Sequence, residues 1–198
     1  MMIKKLLSIV CAVAFALPLC AQVTWNAKGG IGFSACIGHG SDSKFHFVGK
    51  VGMGLEKLFS PNLSLMPSLE IAWKGENYLD KEVTEGKLDL FYIQIPIVLA
   101  YRINLSNWWN IAFKAGPYAA FALIGNYSSF NRSGGWSDEY NIFDNHWGNG
   151  KRFDCGIDCG IDFEYHRFVF GGEYELGFLE IYHSSRNQAV YFTIGYKF

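Results

Sequence analysis

The sequence predicts an all-β protein, an eight-stranded antiparallel up-and-down transmembrane β-barrel. Three observations lead there. The stretch Phe153–Tyr165 alternates without a break: Phe153, Cys155, Ile157, Cys159, Ile161, Phe163 and Tyr165 on one side, Asp154, Gly156, Asp158, Gly160, Asp162 and Glu164 on the other. Residues two apart share a face of a strand, so this ribbon is apolar on one face and acidic or bare on the other. Seven further stretches repeat the alternation, and an even count of such strands suits a barrel with its apolar faces toward lipid and its polar faces toward the lumen. The composition agrees: 22 glycines and 17% aromatic residues accompany only 18% charged residues. A formal net charge of -1 lacks the basic excess of a nucleic-acid footprint, and no nucleic-acid partner is expected.

Residues 1–21 read as a secretory signal peptide. Lys4 and Lys5 precede an apolar run over 6–19, and cleavage after Ala21 leaves Gln22 at the start of a barrel domain over 22–198. The run is short for a membrane span of ~20 residues. Cys20 near the cleavage point raises a lipoprotein alternative, against which Leu19 stands as a bulky residue where a small one is usual. The rest of the chain has no apolar run long enough for a spanning helix; its longest, 95–101, is strand-sized.

The strands follow in order. The first, 28–37, turns Ile31 and Phe33 outward and Lys28, Gly30, Gly32, Ser34 and Cys36 inward. The second, 45–59, sets Phe47, Val51, Met53 and Leu55 against His46, Lys50, Gly52, Gly54 and Glu56. The third, 63–73, sets Leu65, Leu69, Ile71 and Trp73 against Ser64, Ser68, Glu70 and the adjoining Lys74. The fourth, 88–103, is the most apolar, with Tyr92, Gln94 and Arg102 inward. The fifth, 109–123, points Lys114, Gly116 and Tyr118 inward. The sixth is the acidic ribbon. The seventh, 168–178, carries Glu173 and Glu175 inward, and the last, 189–198, Thr193, Gly195 and Lys197. Each stretch nears or exceeds the ~9–11 residues that cross a bilayer.

Connections alternate in length. Short links fall at 60–62, 104–107 and 166–167, longer ones at 38–44, 75–87, 125–151 and 180–188. Short turns are periplasmic and long loops extracellular in such barrels, which places both termini on the periplasmic side. Trp108, Trp109, Tyr165, Phe168, Tyr196 and Phe198 gather at the short-turn end, and Trp73, Tyr78, Phe91, Tyr127 and Phe178 near the other, as two interfacial girdles require. Pro67, Pro96 and Pro117 fall inside strands, where each removes a ladder hydrogen bond, so a bulge or local widening is expected at each. Cys155 and Cys159 lie ~13 Å apart on one strand face, too far for a disulfide.

Several segments carry a resemblance. EIAWKGEN at 70–77, YIQIPIVLAYRI at 92–103, FKAGPYAAFAL at 113–123, DCGIDCGIDFEY at 154–165 and the terminal YFTIGYKF follow one another over most of the chain. In that order they resemble the porin-like, PorT-like outer-membrane β-barrel family of the Bacteroidetes, which are Gram-negative bacteria. The resemblance implies an outer-membrane location and no shared catalytic residues. It also makes Tyr196 and Phe198, at the end of an alternating aromatic strand, look like the signal read by the outer-membrane assembly machinery.

The inward charges define the chemistry. Lys50, Lys74, Arg102 and Lys114 face Glu70, Asp154, Asp158, Asp162, Glu173 and Glu175, joined by Lys28, Lys197, Glu56 and Glu164. An eight-stranded barrel is just wide enough for its side chains to fill, so a lumen of paired charges is expected. The alternative is a narrow porin-like channel for small solutes or ions, with the inward glycines leaving gaps. Asp154, Asp158 and Asp162 also invite an acid–base enzyme, but no nucleophile motif accompanies them, and neither an enzyme activity nor a cofactor is expected. His39, His146 and His183 in three long loops could converge on a metal; loop histidines are ordinarily solvated, and no metal is expected. The loop 125–151 carries Tyr127, Phe130, Trp136, Tyr140 and Trp147, suited either to binding an extracellular ligand or protein partner or to capping the barrel. The expected partners are therefore outer-membrane lipid, the assembly machinery and that extracellular partner.

Overall fold

The computed structural model describes residues 23–37, 42–79, 84–131, 137–143, 150–181 and 186–198. The signal peptide, the three loop histidines, Trp136 and Trp147 lie outside them, as do the side chains of Phe130 and Tyr140.

Ten strands form: β1 (Val23–Ile37), β2 (Asp42–Lys44), β3 (His46–Leu58), β4 (Leu63–Leu79), β5 (Thr84–Asn104), β6 (Trp109–Asn131), β7 (Ser137–Asn141), β8 (Phe153–Tyr165), β9 (Phe168–Gly177) and β10 (Arg186–Lys197). Eight of them close a ring in the order β1, β3, β4, β5, β6, β8, β9, β10, every pairing antiparallel. Closure comes from β1 and β10, in register from Asn26↔Lys197 to Ile37↔Arg186. A closed ring leaves no strand edge unpaired, as a β structure in lipid demands. Among the described residues no helix is long and apolar enough to cross a membrane; the crossing elements are strands.

The two faces are inverted relative to a soluble barrel. Glu70, Lys74 and Glu175 are each 1% exposed, whereas Ile31, Val51 and Phe192 are 61%, 60% and 64% exposed. Aromatic rings mark both ends of this apolar wall. At the short turns Trp109 packs on Tyr165 with centroids 4.7 Å apart, and Tyr196 lies 5.3 Å from both Phe168 and Phe198. At the opposite end Trp73 stacks on Phe91 at 5.9 Å, and Phe33 meets Phe47 edge-on at 6.1 Å.

Two expectations need correction, the extent of the loops and the place of Tyr127. Segments 75–87 and 125–151, read as loops, are partly strand: β4 and β5 stay paired out to Leu79↔Glu85, and β6 continues to Asn131, pairing with β7 from Asn126↔Asn141 to Phe130↔Ser137. Beyond lipid both faces meet water, so the apolar alternation stops while backbone pairing does not. At the prolines, where a bulge or local widening is expected, there is no register shift. Pairing merely lapses beside them, at Leu55 and Glu56 opposite Met66 and Pro67, at Ser68 and Leu69 opposite Ile95 and Pro96, and at Ile97 and Val98 opposite Gly116 and Pro117. The outcome is local widening, not a bulge.

The register shift lies elsewhere. Phe91 pairs with Ile124 and Tyr92 with Ala122, which leaves Leu123 as an extra residue. Leu123 and Ile124 both point outward, each 48% exposed. A single inserted residue exchanges the two faces of everything after it. Gly125 is buried in consequence, and Tyr127 packs partly buried against the barrel mouth instead of joining the outer aromatic girdle.

Candidate functional site

The lumen is built by side chains that each strand sends inward at every second residue, and they form two charge networks. At the short-turn end Arg102 of β5 donates from Nη2 to Glu56 Oε1 at 2.5 Å and from Nε to Glu164 Oε2 at 2.8 Å. Lys197 of β10 closes the square at 2.7 Å from Glu56 Oε2 and 2.9 Å from Glu164 Oε1. Two cations and two anions from four strands are thus mutually neutralised, with Ser64 Oγ donating a further 2.8 Å hydrogen bond to Glu56.

The central network is larger. Lys50 of β3 contacts Glu173, lies 2.8 Å from Glu175 Oε1 and 3.4 Å from Glu70 Oε2. Lys28 bridges Glu70 Oε1 at 2.8 Å and Glu173 Oε1 at 2.9 Å. Lys114 bridges Asp162 Oδ2 and Glu173 Oε1, both at 2.7 Å. Lys74 reaches Glu175 Oε2 at 2.6 Å and Gln94 Oε1 at 2.9 Å, while Gln94 Nε2 donates to Glu175 Oε1 at 2.8 Å. Lys74 also sits 4.5 Å from the centre of the Tyr118 ring, and Lys50 4.6 Å from that of Tyr191. Cation–ring contacts of this kind gain strength where water is excluded.

The inward glycines leave no row of gaps. A Cβ on Gly52 would stand 2.5 Å from Glu70 Cγ, and one on Gly156 2.7 Å from Tyr118 Cε1. Long side chains from neighbouring strands lie across these bare positions, so glycine makes room for the network. Between the two networks the lumen holds a cavity of about 30 Å³, lined by Asn26, Lys28, Pro67, Lys114, Asp162 and Lys197 among others. That is space for a water or two.

Above the charges the mouth is apolar. Leu88, Leu90, Tyr92, Tyr118, Ala120 and Ala122 from β5 and β6 pack with Ile142 and Ile181, which come from the long connections, and Tyr127 and Phe143 cover the cluster. Backbone hydrogen bonds fix this cork: Ile142 N to Gly125 O at 3.0 Å, Gly150 N to Ile142 O at 3.1 Å and Lys151 N to Ile181 O at 2.9 Å. The Arg152 guanidinium lies 4.3 Å over the Phe143 ring. Just below, Asp154 Oδ2 accepts from Tyr118 OH and from Asn187 Nδ2, each at 3.2 Å.

All ten inward residues that the sequence singles out therefore converge in the lumen, nine of them directly bonded. Asp158 is the tenth: it lies among them with no hydrogen bond or ion pair to a described residue, and its carboxylate, those of Glu173 and Glu175 lie within 4.8 Å of one another. Of the loop residues, Tyr127 belongs to the cork, and the backbones of Phe130 and Tyr140 belong to the β6–β7 pair. Tyr196 and Phe198 sit in the short-turn girdle, with Phe198 N donating to Trp25 O at 2.8 Å. Sequence reasoning missed Ile142 and Ile181. Their one signal is a lone aliphatic residue in a connection otherwise made of polar, glycine and aromatic residues.

Comparison with known proteins finds the same architecture. The attachment invasion locus protein Ail of Yersinia pestis is 14% identical, superimposes with a TM-score of 0.51, and the match covers 88% of this chain and 98% of Ail. Neisserial surface protein A follows at 12% identity and a TM-score of 0.48 over 88% and 97% of the two chains. OprG of Pseudomonas aeruginosa follows at 13% and 0.46 over 90% and 97%. Among curated proteins none matches. The family model described as "Outer membrane protein beta-barrel domain" matches residues 20–183, and the chain belongs to that family of outer-membrane β-barrels.

Proposed function

We propose that this protein is a structural or partner-binding barrel of the outer membrane, without enzymatic activity, that meets its partner through the extracellular loops. The observation that carries the reading is the cork: Ile142 and Ile181 close the mouth over a lumen already filled by paired charges. A barrel stopped in this way offers the outside its rim and loops, not its interior. Precursor export by the signal peptide, assembly through the terminal Tyr196 and Phe198, and the PorT-like affiliation belong to the same proposal and rest on the sequence patterns. In the loop 125–151, Phe130, Trp136, Tyr140 and Trp147 supply the rings for stacking on a sugar or packing on a protein.

The test compares the whole chain with one lacking 128–148, both in outer-membrane fractions, by cross-linking and pull-down. A partner recovered only with the whole chain supports the reading. Equal recovery by both chains places recognition outside this loop and overturns it. Melting the two variants in parallel separates recognition from capping, since the deletion also removes Ile142.

A further inference from the structure

The central network holds more acid than base. Four lysines, Lys28, Lys50, Lys74 and Lys114, face six carboxylates, and every one of those carboxylates is buried. Glu70, Asp162, Glu173 and Glu175 each have at least one lysine. Asp154 has none but accepts two hydrogen bonds from neutral donors. Asp158 has neither among the described residues, and is 2% exposed. Its cross-strand partner is Glu175, and Glu173 stands on the same face of β9. Beside them the Tyr191 hydroxyl, from β10, is buried without a hydrogen-bond partner among the described residues. An isolated carboxylate buried among two others is a costly arrangement, and such groups are neutralised or paired.

A metal ion is the poorer solution. The place it would take between Glu173 and Glu175 is held by the Lys50 ammonium, which contacts both. Lys28 and Lys114 occupy the far side of Glu173, and Lys74 that of Glu175. A second cation would have to displace these ammonium groups, whereas a proton needs a single lone pair. We propose that Asp158 is a proton-binding site, a neutral carboxylic acid in the folded barrel that donates its O–H to Glu173 or Glu175. The charged groups nearest it are Glu175 and Glu173 from β9, Lys50 from β3 and Lys28 from β1. Lys114 and Tyr118 flank its cross-strand partner Gly116 on β6, and Lys74 and Glu70 from β4 and Tyr191 from β10 complete the surrounding network. The lumen is then a network in which one proton replaces a fifth lysine. It is independent of whatever partner the loops bind.

Infrared spectroscopy of the refolded full chain at neutral pH reads this directly. The expected spectrum contains the carbonyl stretch of one buried protonated carboxyl that shifts when aspartate carboxyls are labelled with carbon-13. That band is retained in Asp154→Asn and lost in Asp158→Asn. Metal analysis of the same samples should find no stoichiometric ion. Asp158→Asn, a neutral stand-in of the same shape, should leave the folding equilibrium constant within about tenfold of wild type. An absent band in the wild-type chain overturns the proposal, as does a bound metal ion that Asp158→Asn releases. A large gain in stability from Asp158→Asn would also overturn it, because that is the response of an ionised, repelled Asp158. The wild-type band decides even if the variant fails to fold.

Discussion

Arg102 holds two carboxylates from opposite parts of the wall, and its removal shows what a buried charge network contributes. Arg102→Ala leaves Glu56 and Glu164 sharing Lys197 alone. Stripping one partner from a buried pair costs about 3–5 kcal/mol, mostly as the penalty of the charge left behind. Urea unfolding in lipid vesicles should record a loss of that size for Arg102→Ala, and a smaller one when Glu56→Gln is added. Glycine gives the complementary test. Gly156→Val forces a Cβ against Tyr118 and the backbone of β9, so overpacking of about 1–3 kcal/mol is expected in the same measurement. At this scale the sequence is informative about direction and silent about partner. Alternation alone places Lys74 and Glu175 in the lumen, since a period of two leaves no choice. That Lys74 meets Glu175 and Gln94 depends on barrel closure and stagger, which bring β4 and β9 together across the lumen.

The strands were legible over their membrane portions and illegible beyond them. The acidic ribbon is a strand with the bounds its alternation predicts, Phe153–Tyr165. By contrast β5 and β6 run to 21 and 23 residues, because hairpins that leave the lipid remain paired in water without an apolar face to announce it. The extra residue at Leu123 had a faint signal, two adjacent aliphatic residues followed by glycine. The prolines, where a bulge or local widening is expected, are a louder signal and bring only the widening. The extra residue has a structural consequence: the exchanged faces turn Tyr127 toward the mouth, where it packs, as Phe143 does, against the cluster that holds Ile142. The cork itself combines two connections far apart in sequence, so no local pattern could show it. Ile142→Ala removes a fully buried side chain from this cluster. A loss of about 2–5 kcal/mol is expected if the long connection is packed as a core, against almost none for a free loop. Thermal unfolding of the single variant suffices to tell these apart.

The whole molecule is an inside-out protein, and that inversion explains why its fold was the most readable part. Charges that would be solvated on a soluble barrel are buried here, and the surface is Ile, Val, Phe and Leu. One substitution on each side of the wall tests the inversion. Ile161→Arg, on the lipid face near the middle of β8, should destabilise the barrel in vesicles by about 2–4 kcal/mol, as a charge at the bilayer midplane does. A soluble barrel would accept arginine at so exposed a position. Function was less legible, because a filled lumen and a conducting one share the same inward residue types. The side-chain geometry, with its glycines overlaid, its charges bridged and its mouth corked, is what the proposed filled barrel rests on. The most direct test is therefore the ion conductance of the refolded full chain in planar lipid bilayers. The filled and corked barrel predicts a current no greater than that of the bare bilayer. Steady single-channel steps, lowered by Asp162→Asn, would contradict it.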